Sequence, residues 1–569
     1  MMDKKKVLEL IKGNNPVSRS TFFATVSGVV TTNPGMIRRV DNDIPEIGLI
    51  TTKSFQVEPN PGNREPVIVE PEEGSFGNAV GLRNPGMKEG LKGLEEMISK
   101  KPLRSILNVS VSGNSVEEFV TLVRYFEDLA DIIELNLSCP HASGGYGMAI
   151  GKDPEVVYTY LKEIRKRTDA LVFAKLTPNV DAIGETALAA VEGGADGITA
   201  INTVGPGYYT EPVSGAPLLL NASGNKGGMS GRWIKETALE KAGEIRKALG
   251  PDIPIIGMGG IENGRDVRNM MNAGADVVGI GSIFASIEPW NWQDFFKSLK
   301  TDLVEGGDSA SRLKRTDSGM KYEPHTVTGV TDLPDDVRII QLDGKIKYDA
   351  GQFAFLWIPG TGEKPFSIMS GDPLTFLIKK KGIFTSRVME LKAGDRIFVR
   401  GLYGKIAPET GRGTVLIAAG GTGLASALKL AEKFAGEGKR VHTFQGMSTP
   451  GQEAMADDFL SFGSYTAVPD MGIPGRVIDR MMEALWENKF PLDGGITAGN
   501  CALYTIGPRP FMEKAARAFT AEGGSADDVL LSIETHTKCG VGLCGECECR
   551  GHLTCREGAW FKWSEINED

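Results

Sequence analysis

Four cysteines near the end of the chain have the spacing of an iron–sulfur site. They form the pattern Cys539-x4-Cys544-x2-Cys547-x7-Cys555. This spacing is typical of a plant-type [2Fe–2S] cluster, and the glycines between the cysteines let the backbone turn around the sulfurs. Zinc is the alternative, but zinc sites favour shorter CxxC spacing in both ligand pairs. Cys549 is an additional thiol nearby, and Cys501 is interpreted as a packed core residue.

A second group of reactive side chains follows an apolar run in the first half of the chain. Residues Ile132–Leu137 predict a buried strand, and Asn136, Ser138, Cys139 and His141 gather where it ends. Pro140 prevents the strand from continuing as a paired element. Amide, hydroxyl, thiol and imidazole groups at a strand end are typical of an α/β active site. The alternative is a strand-to-loop corner with an inert buried cysteine.

The elements that must position these groups follow a strand–helix rhythm over the first ~310 residues. Eight apolar segments predict strands: Thr21–Ser27, Ile47–Lys53, Ser105–Val111, Ile132–Ser138, Leu171–Thr177, Gly197–Thr203, Ile253–Gly259 and Val277–Gly281. Amphipathic helices are predicted at Ser115–Leu129, Pro154–Arg167, Ala182–Glu192, Lys235–Leu249 and Gly264–Ala273. The pattern predicts a (β/α)8 barrel over residues 1–310. A doubly wound sheet competes, but no N-terminal GxGxxG supports it.

Most of the predicted strands end in polar or glycine-rich tips, which a barrel would bring to one face. The glycine pairs Gly257-Met-Gly-Gly260 and Gly279-Ile-Gly-Ser282 fall at the seventh and eighth strands. Backbone amides at these positions bind phosphate in many barrels. Together with Gly228–Gly231 they predict a phosphorylated cofactor, most simply FMN. Close helix packing is the alternative reason for glycine at these positions.

The second half of the chain has a different texture. A polar linker is predicted at 311–322, an antiparallel β-barrel at 323–410, an α/β nucleotide-binding domain at 411–525 and the cysteine-rich domain at 526–569. In the barrel, Lys364-Pro365-Phe366-Ser367 and the segment from Gly382 to Thr385 would suit a flavin and its diphosphate. In the α/β domain, Gly420-Gly421-Thr422-Gly423 opens a helix, where amides can hold a pyrophosphate, and Gly507-Pro508 ends a second strand.

Composition restricts the function further. The 569-residue chain carries a formal charge of −10, which argues against nucleic-acid or anionic-membrane partners. No apolar run reaches the ~20 residues of a transmembrane helix, and the N-terminal residues lack the apolar core of a signal peptide. We therefore expect a cytoplasmic enzyme acting on a small molecule.

Taken together, these motifs resemble the class 1B, NAD-linked dihydroorotate dehydrogenases. The first half resembles their FMN-containing catalytic subunit, and the second half resembles their ferredoxin-reductase-like electron-transfer subunit, here fused into one chain. The resemblance is carried by Thr52-Lys-Ser54 with Glu58-Pro59, Asn78-Ala-Val-Gly-Leu82, Asn136-Leu-Ser-Cys-Pro140, Lys175, Asn202-Thr203, Gly227-Gly-Met-Ser-Gly231, Gly259-Gly260 and the four cysteines.

The resemblance implies a role for each matching residue. Cys139 would be the catalytic base, assisted by Lys53. Substrate would be held by Lys53, Asn78, Gly81, Leu82, Asn136, His141, Asn202 and Thr203. FMN would be bound by Ser27, Gly28, Lys53, Ser54, Asn108, Asn136, Lys175, Gly231, Gly259, Gly260, Gly281 and Ser282. FAD would be bound by Lys364, Pro365, Phe366, Ser367, Gly382 and Thr385, and NAD or FAD by Gly420, Gly421, Gly423, Gly507 and Pro508. The cluster ligands would be Cys539, Cys544, Cys547 and Cys555.

The implied reaction is oxidation of (S)-dihydroorotate to orotate. Electrons would pass from FMN through the [2Fe–2S] cluster and FAD to NAD+, because a one-electron centre needs a flavin on either side to exchange electron pairs. A homodimer through the barrel is expected.

The chain departs from the family pattern at several positions. His141 replaces the usual asparagine, Lys364 replaces the usual arginine, and Gly205–Lys226, with Tyr208-Tyr209, could cover the site. A dihydropyrimidine dehydrogenase reducing uracil or thymine is one alternative function. An electron-transfer module with a non-catalytic barrel is the other.

Overall fold

The computed structural model of the chain describes residues 2–13, 23–137, 150–453, 455–473, 475–486 and 496–567. It divides into two compact units. Unit 1 comprises Met1–Met320 together with Val541–Leu553, and unit 2 comprises Lys321–Gly540 together with Thr554–Asp569.

The strands of unit 1 form a parallel barrel and a smaller antiparallel sheet. In chain order they are β1 (Phe23–Thr25), β2 (Ile47–Thr51), β3 (Ile68–Glu72), β4 (Ser75–Asn78), β5 (Ile106–Val111), β6 (Ile132–Asn136), β7 (Val172–Lys175), β8 (Gly197–Ala200), β9 (Val204–Tyr208), β10 (Lys226–Gly231), β11 (Ile255–Met258) and β12 (Val277–Ile280). The closed barrel has the order β1-β12-β11-β8-β7-β6-β5-β2. Its eight strands overlap the eight predicted segments, so the predicted (β/α)8 barrel is confirmed.

Helices alternate with these strands along the chain. They are α1 (Lys4–Lys12), α2 (Pro34–Asp43), α3 (Met87–Lys100), α4 (Val116–Phe126), α5 (Pro154–Arg165), α6 (Ile183–Glu192), α7 (Lys235–Leu249), α8 (Gly264–Asn272) and α9 (Trp292–Glu305). The five helices predicted from the sequence appear within three residues of their expected bounds. Helix α1 was not predicted. Its Val7 and Ile11 are fully buried and join the cluster formed by the first residues of β5 and β6, so α1 covers the amino-terminal end of the barrel.

The antiparallel sheet has the order β3-β4-β10-β9. The segment Gly205–Lys226, which we predicted could cover the site, includes most of β9 and begins β10. Its Tyr209 is buried, stacks on Trp233 with 6.0 Å between the ring centroids, and has a pKa raised to about 12 by burial. This tyrosine is therefore packed against the sheet, whereas Tyr208 is 55% exposed.

The segment predicted as the start of a linker packs against unit 1. Asp302 of α9 accepts hydrogen bonds from the backbone N–H groups of Ser309 (2.6 Å) and Ala310 (2.9 Å). Further along, the Thr316 N–H donates to the Ser286 carbonyl (2.9 Å), and Met320 is 5% exposed. Side chains of this stretch also bond to the barrel unit, since Arg315 donates to the Glu262 carbonyl (2.9 Å) and Ser318 donates to Glu70. Residues 311–320 therefore belong to unit 1.

Unit 2 begins with a closed antiparallel barrel of six strands, which confirms the predicted β-barrel. They are β13 (Glu323–Leu333), β14 (Val337–Leu342), β15 (Phe353–Ile358), β16 (Gly362–Gly371), β17 (Leu374–Lys379) and β18 (Arg396–Tyr403), in the order β13-β14-β17-β16-β15-β18. Ile340, Phe376 and Ile378 are among the fully buried residues of its core.

A six-stranded sheet completes unit 2, with the order β21-β20-β19-β22-β23-β26. Its strands are β19 (Thr414–Gly420), β20 (Arg440–Met447), β21 (Ser464–Pro469), β22 (Cys501–Ile506), β23 (Val529–Ser532) and β26 (Trp560–Lys562), while β24 (Glu548–Cys549) pairs with β25 (His552–Leu553) in unit 1. Helices α10 (Ile383–Val388), α11 (Leu424–Gly436), α12 (Ala456–Phe462), α13 (Arg476–Trp486), α14 (Arg509–Ala521), α15 (Thr554–Glu557) and α16 (Trp563–Ile566) accompany these strands. Within the described ranges, no helix is both long enough and apolar enough to cross a bilayer.

Candidate active site

A cavity opens at the carboxyl ends of the barrel strands in unit 1. Its empty volume is about 1240 Å3, which includes the space at its open mouth. Sixteen of the residues predicted to bind substrate or FMN line it: Ser27, Gly28, Lys53, Ser54, Asn78, Gly81, Leu82, Asn136, Lys175, Asn202, Thr203, Gly231, Gly259, Gly260, Gly281 and Ser282. The parallel barrel explains this convergence, because its strands all direct their carboxyl ends to one face.

One residue predicted for FMN, Asn108, is described by the structure but does not line the cavity, because it is fully buried in β5. Its side-chain amide donates to the hydroxyl of Thr51 (3.1 Å), so it ties β5 to β2. Cys139 and His141 lie outside the described residues.

A chain of hydroxyl groups connects the cavity wall with the interior of the barrel. The hydroxyl oxygens of Ser27 and Ser54 lie 3.1 Å apart, and those of Ser54 and Ser110 lie 2.9 Å apart. Ser110 donates to Oε1 of Glu134 (3.1 Å), while the Asn136 amide donates to Ser54 (3.1 Å). The sequence analysis did not identify Ser110 or Glu134, although a glutamate inside the apolar run of β6 was a visible signal.

The charge of Lys175 is balanced inside the barrel. Lys175 Nζ lies 3.7 Å from Glu134 Oε1, and both side chains are almost completely buried. Oε2 of Glu134 has no hydrogen-bond partner among the described residues. A buried carboxylate with an unsatisfied oxygen is costly unless a charge or ligand nearby compensates it. Lys175 supplies that charge and also lines the cavity.

Glycines at the ends of β10 and β11 form a narrow part of the cavity wall. Gly231 has a φ of +79°, and a Cβ atom there would lie 2.1 Å from the Gly74 carbonyl oxygen. Gly260 has a φ of +68°, and a Cβ atom there would lie 2.9 Å from the Gly231 carbonyl oxygen. Both positions therefore require glycine. The 3-10 turn Arg232–Ile234 and then α7 begin directly after Gly231, so this wall also contains a helix amino terminus suited to an anion.

The amide side chains of the site are held by short polar contacts. Asn202 Nδ2 lies 3.4 Å from Asn136 Oδ1, and Asn202 Oδ1 accepts a hydrogen bond from the N–H of Thr203 (2.8 Å). Asn78 donates to the Gly228 carbonyl (3.2 Å), which connects β4 to β10 across the antiparallel sheet. The sheet that the sequence analysis missed therefore positions a predicted substrate ligand.

Lys53 crosses the cavity wall beside Gly28. A Cβ atom on Gly28, whose φ is +78°, would lie 2.9 Å from Lys53 Nζ. Glycine at this position therefore leaves room for the lysine side chain. Apolar residues that the sequence analysis did not identify complete the lining, including Ile68, Phe76, Met258 and Leu543.

In unit 2 the two segments predicted for FAD lie side by side. Lys364–Ser367 belongs to β16, and Gly382 immediately precedes α10. Phe366 stacks against Phe384 with 6.0 Å between the ring centroids. Oγ1 of Thr385 accepts hydrogen bonds from the N–H groups of Lys381 (2.7 Å) and Gly382 (3.0 Å), which fixes the start of α10.

The two glycine turns predicted for the nicotinamide nucleotide also pack together. Gly420 ends β19, and Gly507 follows β22, which pairs with β19. A Cβ atom on Gly507 would lie 3.1 Å from the Cα atom of Gly420, and one on Gly423 would lie 2.9 Å from the Ile506 carbonyl oxygen. Residues with side chains would therefore separate these turns.

The four cysteines of the C-terminal pattern are buried, each no more than 5% exposed. Gly540, Gly542 and Gly545 among them have positive φ values, as expected for a backbone that turns around sulfur ligands. Within the described ranges, no three His, Cys, Asp or Glu side chains are arranged to hold a metal ion, and the cluster remains a prediction from the spacing. Cys501 donates to the Thr497 carbonyl (3.1 Å), and burial raises its pKa to about 12, which agrees with a packed core residue.

Comparison with known proteins places this site in a family. The family model for dihydroorotate dehydrogenase matches residues 20–303. The catalytic subunit of dihydroorotate dehydrogenase B (NAD(+)) from Methanocaldococcus jannaschii is 41% identical over 297 residues, covering 52% of this chain and 90% of the relative. Its counterpart from Pyrococcus horikoshii is 42% identical over 282 residues, covering 49% of this chain and 86% of the relative.

The solved structure of DHODH from Eimeria tenella in complex with ferulenol is similar to this chain, with a TM-score of 0.41 and 18% sequence identity. The matched region covers 53% of this chain and 90% of the Eimeria tenella chain.

The barrel and the polar cavity at the carboxyl ends of its strands define an α/β-barrel protein, and the similarity to dihydroorotate dehydrogenases makes it an oxidoreductase. The chain belongs to the dihydroorotate dehydrogenase family, because two relatives are 41% and 42% identical to it over 90% and 86% of their own length.

Proposed function

We propose that unit 1 oxidises (S)-dihydroorotate to orotate with FMN bound in the barrel cavity. The observation that carries the proposal is the convergence of Lys53, Asn136, Lys175 and Asn202 with the glycine-lined wall in one cavity. The relatives, which are catalytic subunits of dihydroorotate dehydrogenase B (NAD(+)), support the choice of dihydroorotate as substrate.

The cavity suits FMN at both ends of that cofactor. The wall formed by Gly231, Gly259 and Gly260, next to the amino-terminal turn before α7, leaves space and backbone N–H groups for the phosphate. Lys175, buried beside Glu134, supplies positive charge where the flavin ring would gain electron density. When bound, FMN supplies hydride acceptance, and the chain supplies binding, orientation and charge.

The chain's own residues would position the substrate. The amide groups of Asn78, Asn136 and Asn202 provide donors and acceptors for the pyrimidine ring, and Lys53 provides a cation for its carboxylate. We assign removal of the C5 proton to Cys139, which follows β6 three residues after Asn136. A cysteine serves as a base once its pKa falls from its usual ~8.5 toward neutrality.

We further propose that unit 2 carries the electrons onward to NAD+ through FAD and the [2Fe–2S] cluster. The adjacency of Phe366 with Phe384 and of Gly420 with Gly507 supports two nucleotide sites in this unit. The plant-type spacing of the four buried cysteines supports the cluster. Pairing of two chains through the barrel is proposed as well, and analytical ultracentrifugation of the holoprotein tests it.

The substrate is tested by anaerobic bleaching of the purified holoprotein. Cofactors are first extracted and measured, with FMN, FAD and iron expected. Dihydroorotate should then bleach the flavin absorbance, whereas equimolar dihydrouracil should leave it unchanged. Bleaching by dihydrouracil alone would show that the chain acts on a different dihydropyrimidine, and a protein without FMN would make the barrel a scaffold.

A further inference from the structure

A short segment of the cysteine-rich tail is built into unit 1. Its backbone carbonyls accept hydrogen bonds from the loop that follows β1: Leu543 from the N–H of Val30 (3.1 Å), Cys544 from the hydroxyl of Thr32 (2.8 Å) and Gly545 from the amide of Asn33 (2.8 Å). The packing is close, since a Cβ atom on Gly545 would lie 2.9 Å from the Thr32 Cβ atom. We call residues 541–553 the cysteine loop.

The cysteine loop reaches the candidate active site directly. Leu543, which precedes Cys544, lines the same cavity as Asn136 and Lys175. A rearrangement of this loop would therefore change the shape of the cavity wall.

A charged contact provides a second connection between the loop and the cavity. Nε of Arg83 lies 2.8 Å from Oε2 of Glu546, and these side chains are 30% and 12% exposed, respectively. Glu546 lies between Cys544 and Cys547 in the sequence. A partly buried ion pair of this kind is screened less by salt than an exposed pair.

Arg83 follows directly after a cavity residue with constrained backbone. Leu82 lines the cavity and has a φ of +55°, an uncommon value for a residue with a side chain. The Asn84 amide donates to the Leu82 carbonyl (2.7 Å) and holds this conformation. Strained backbone maintained by its surroundings is common at ligand-binding positions. A shift of Leu82 on ligand binding would thus move the backbone that carries Arg83.

We propose, on the basis of the function proposed above, that the Arg83–Glu546 ion pair couples ligand binding in the barrel cavity to the position of the cysteine loop. Arg83 and Glu546 act as positioning residues. Ligand contact with the Gly81–Leu82 backbone fixes Arg83, and Arg83 then fixes Glu546 between two of the predicted cluster ligands. The loop should therefore be most ordered when the cavity is filled.

Hydrogen–deuterium exchange of the full-length holoprotein tests this coupling, with orotate as the ligand. Orotate should slow amide exchange in the peptide covering residues 541–553 at least threefold in the wild-type protein. In Glu546→Gln, which keeps the hydrogen bond from Arg83 to the Pro61 carbonyl (3.1 Å), orotate should have little effect on this peptide. The charge-swapped variant Arg83→Glu with Glu546→Arg should recover part of the slowing of exchange by orotate. If the single variant acted only by disturbing the packing, the swap would recover none of it.

The matched control is Arg167→Gln, which removes an exposed ion pair with Glu163 elsewhere in unit 1. It should behave like the wild type. A Glu546→Gln protein that responds to orotate as strongly as the wild type would overturn the coupling.

The change in flavin absorbance on adding orotate separates the coupling from the proposed function. Without that change in the wild type, orotate does not bind at the flavin, and the proposed function and the coupling both fail. With that change but no slowing of exchange in residues 541–553, the coupling alone fails.

Discussion

The two barrels of this chain each bury an ion pair, but they pair the charges differently. In the parallel barrel, Lys175 and Glu134 meet at a single distance of 3.7 Å beside an open cavity. In the antiparallel barrel, Arg400 and Glu363 form a bidentate pair. Nε and Nη2 of Arg400 each donate a hydrogen bond to a different oxygen of Glu363, both at 2.7 Å. The first pair leaves an oxygen of Glu134 without a hydrogen-bond partner among the described residues, whereas both oxygens of Glu363 are bonded.

The Arg400–Glu363 pair also has additional polar and aromatic contacts around it. Arg400 lies 3.9 Å from the centroid of the Phe355 ring and donates to the carbonyl of Cys539 (3.1 Å). Tyr322 donates to Glu363 (2.6 Å), and its burial raises its pKa well above the usual value. A closed network of this kind specifies a fold, while a buried carboxylate with one unbonded oxygen beside an open cavity is suited to a ligand.

We therefore expect the largest loss of stability when the Arg400–Glu363 pair is broken. Arg400→Met leaves the Glu363 carboxylate buried without its cation, which should lower the free energy of unfolding of unit 2 by about 3–5 kcal/mol. Thermal and denaturant unfolding measure the loss. The double variant Arg400→Met with Glu363→Leu should be distinctly more stable than the single one. A single variant that unfolds like the wild type would show that this network is not structural.

Acid should weaken unit 2 through a different buried group. His442 in β20 is fully buried, and burial, followed by the charge of Arg440, lowers its pKa to about 4. The unfolded state binds the proton from pH ~6.5 downward, so stability is present above that pH and is lost as the pH falls toward 4, by about 2–3 kcal/mol. His442→Gln should flatten this part of the stability–pH curve. An unchanged acid slope in that variant would place the titration elsewhere.

A methyl group in the glycine wall should disturb unit 1 without touching either ion pair. Gly231→Ala places a Cβ atom 2.1 Å from a backbone oxygen at positive φ, so we expect a loss of about 2 kcal/mol and weaker FMN retention. Gly215→Ala is the matched control, because its φ is also positive (+68°) but no atom lies within 4 Å of the added methyl group. Cofactor content after gel filtration distinguishes the two. Equal FMN loss in both variants would attribute the effect to backbone strain alone.

The smallest effect is expected at the open pair. Glu134→Gln removes the negative charge beside Lys175, so the cavity becomes more positive and the FMN reduction potential should rise by about 30 mV, equivalent to ~1.4 kcal/mol for two electrons. Spectroelectrochemistry measures the shift. Glu363→Gln in the other barrel should leave the FMN potential unchanged, and a shift of equal size there would remove the distinction between the pairs.

The sequence predicted much of unit 1 because its signals are local. Runs such as Val277–Ile280 are apolar on both faces, as buried parallel strands are, and end at a polar or glycine tip. The antiparallel sheet was missed because β9 and β10 contain glycine and proline in place of strand-forming residues. Helix α1 was missed because it precedes β1 and so lies outside the strand–helix rhythm from which the other helices were predicted.

Contacts between distant residues explain the rest. Glu363 and Arg400 are 37 positions apart, and no periodicity connects them. Glu134 carried a signal, as a charge within an apolar strand, but its partners Ser110 and Lys175 come from neighbouring strands. The assignments of Cys139 and His141 fall outside the described residues and stay predictions.

Rapid anaerobic mixing of the holoprotein with dihydroorotate tests most directly whether unit 1 oxidises dihydroorotate in its cavity. Flavin absorbance is followed in the wild type, in Asn202→Ala, and in Asn114→Ala, an exposed asparagine that serves as control. Loss of a hydrogen bond to a charged substrate costs about 1.5–3 kcal/mol, so Asn202→Ala should retain FMN and be reduced roughly 10- to 100-fold more slowly. Reduction of Asn202→Ala at the wild-type rate would contradict the assignment of this cavity as the active site.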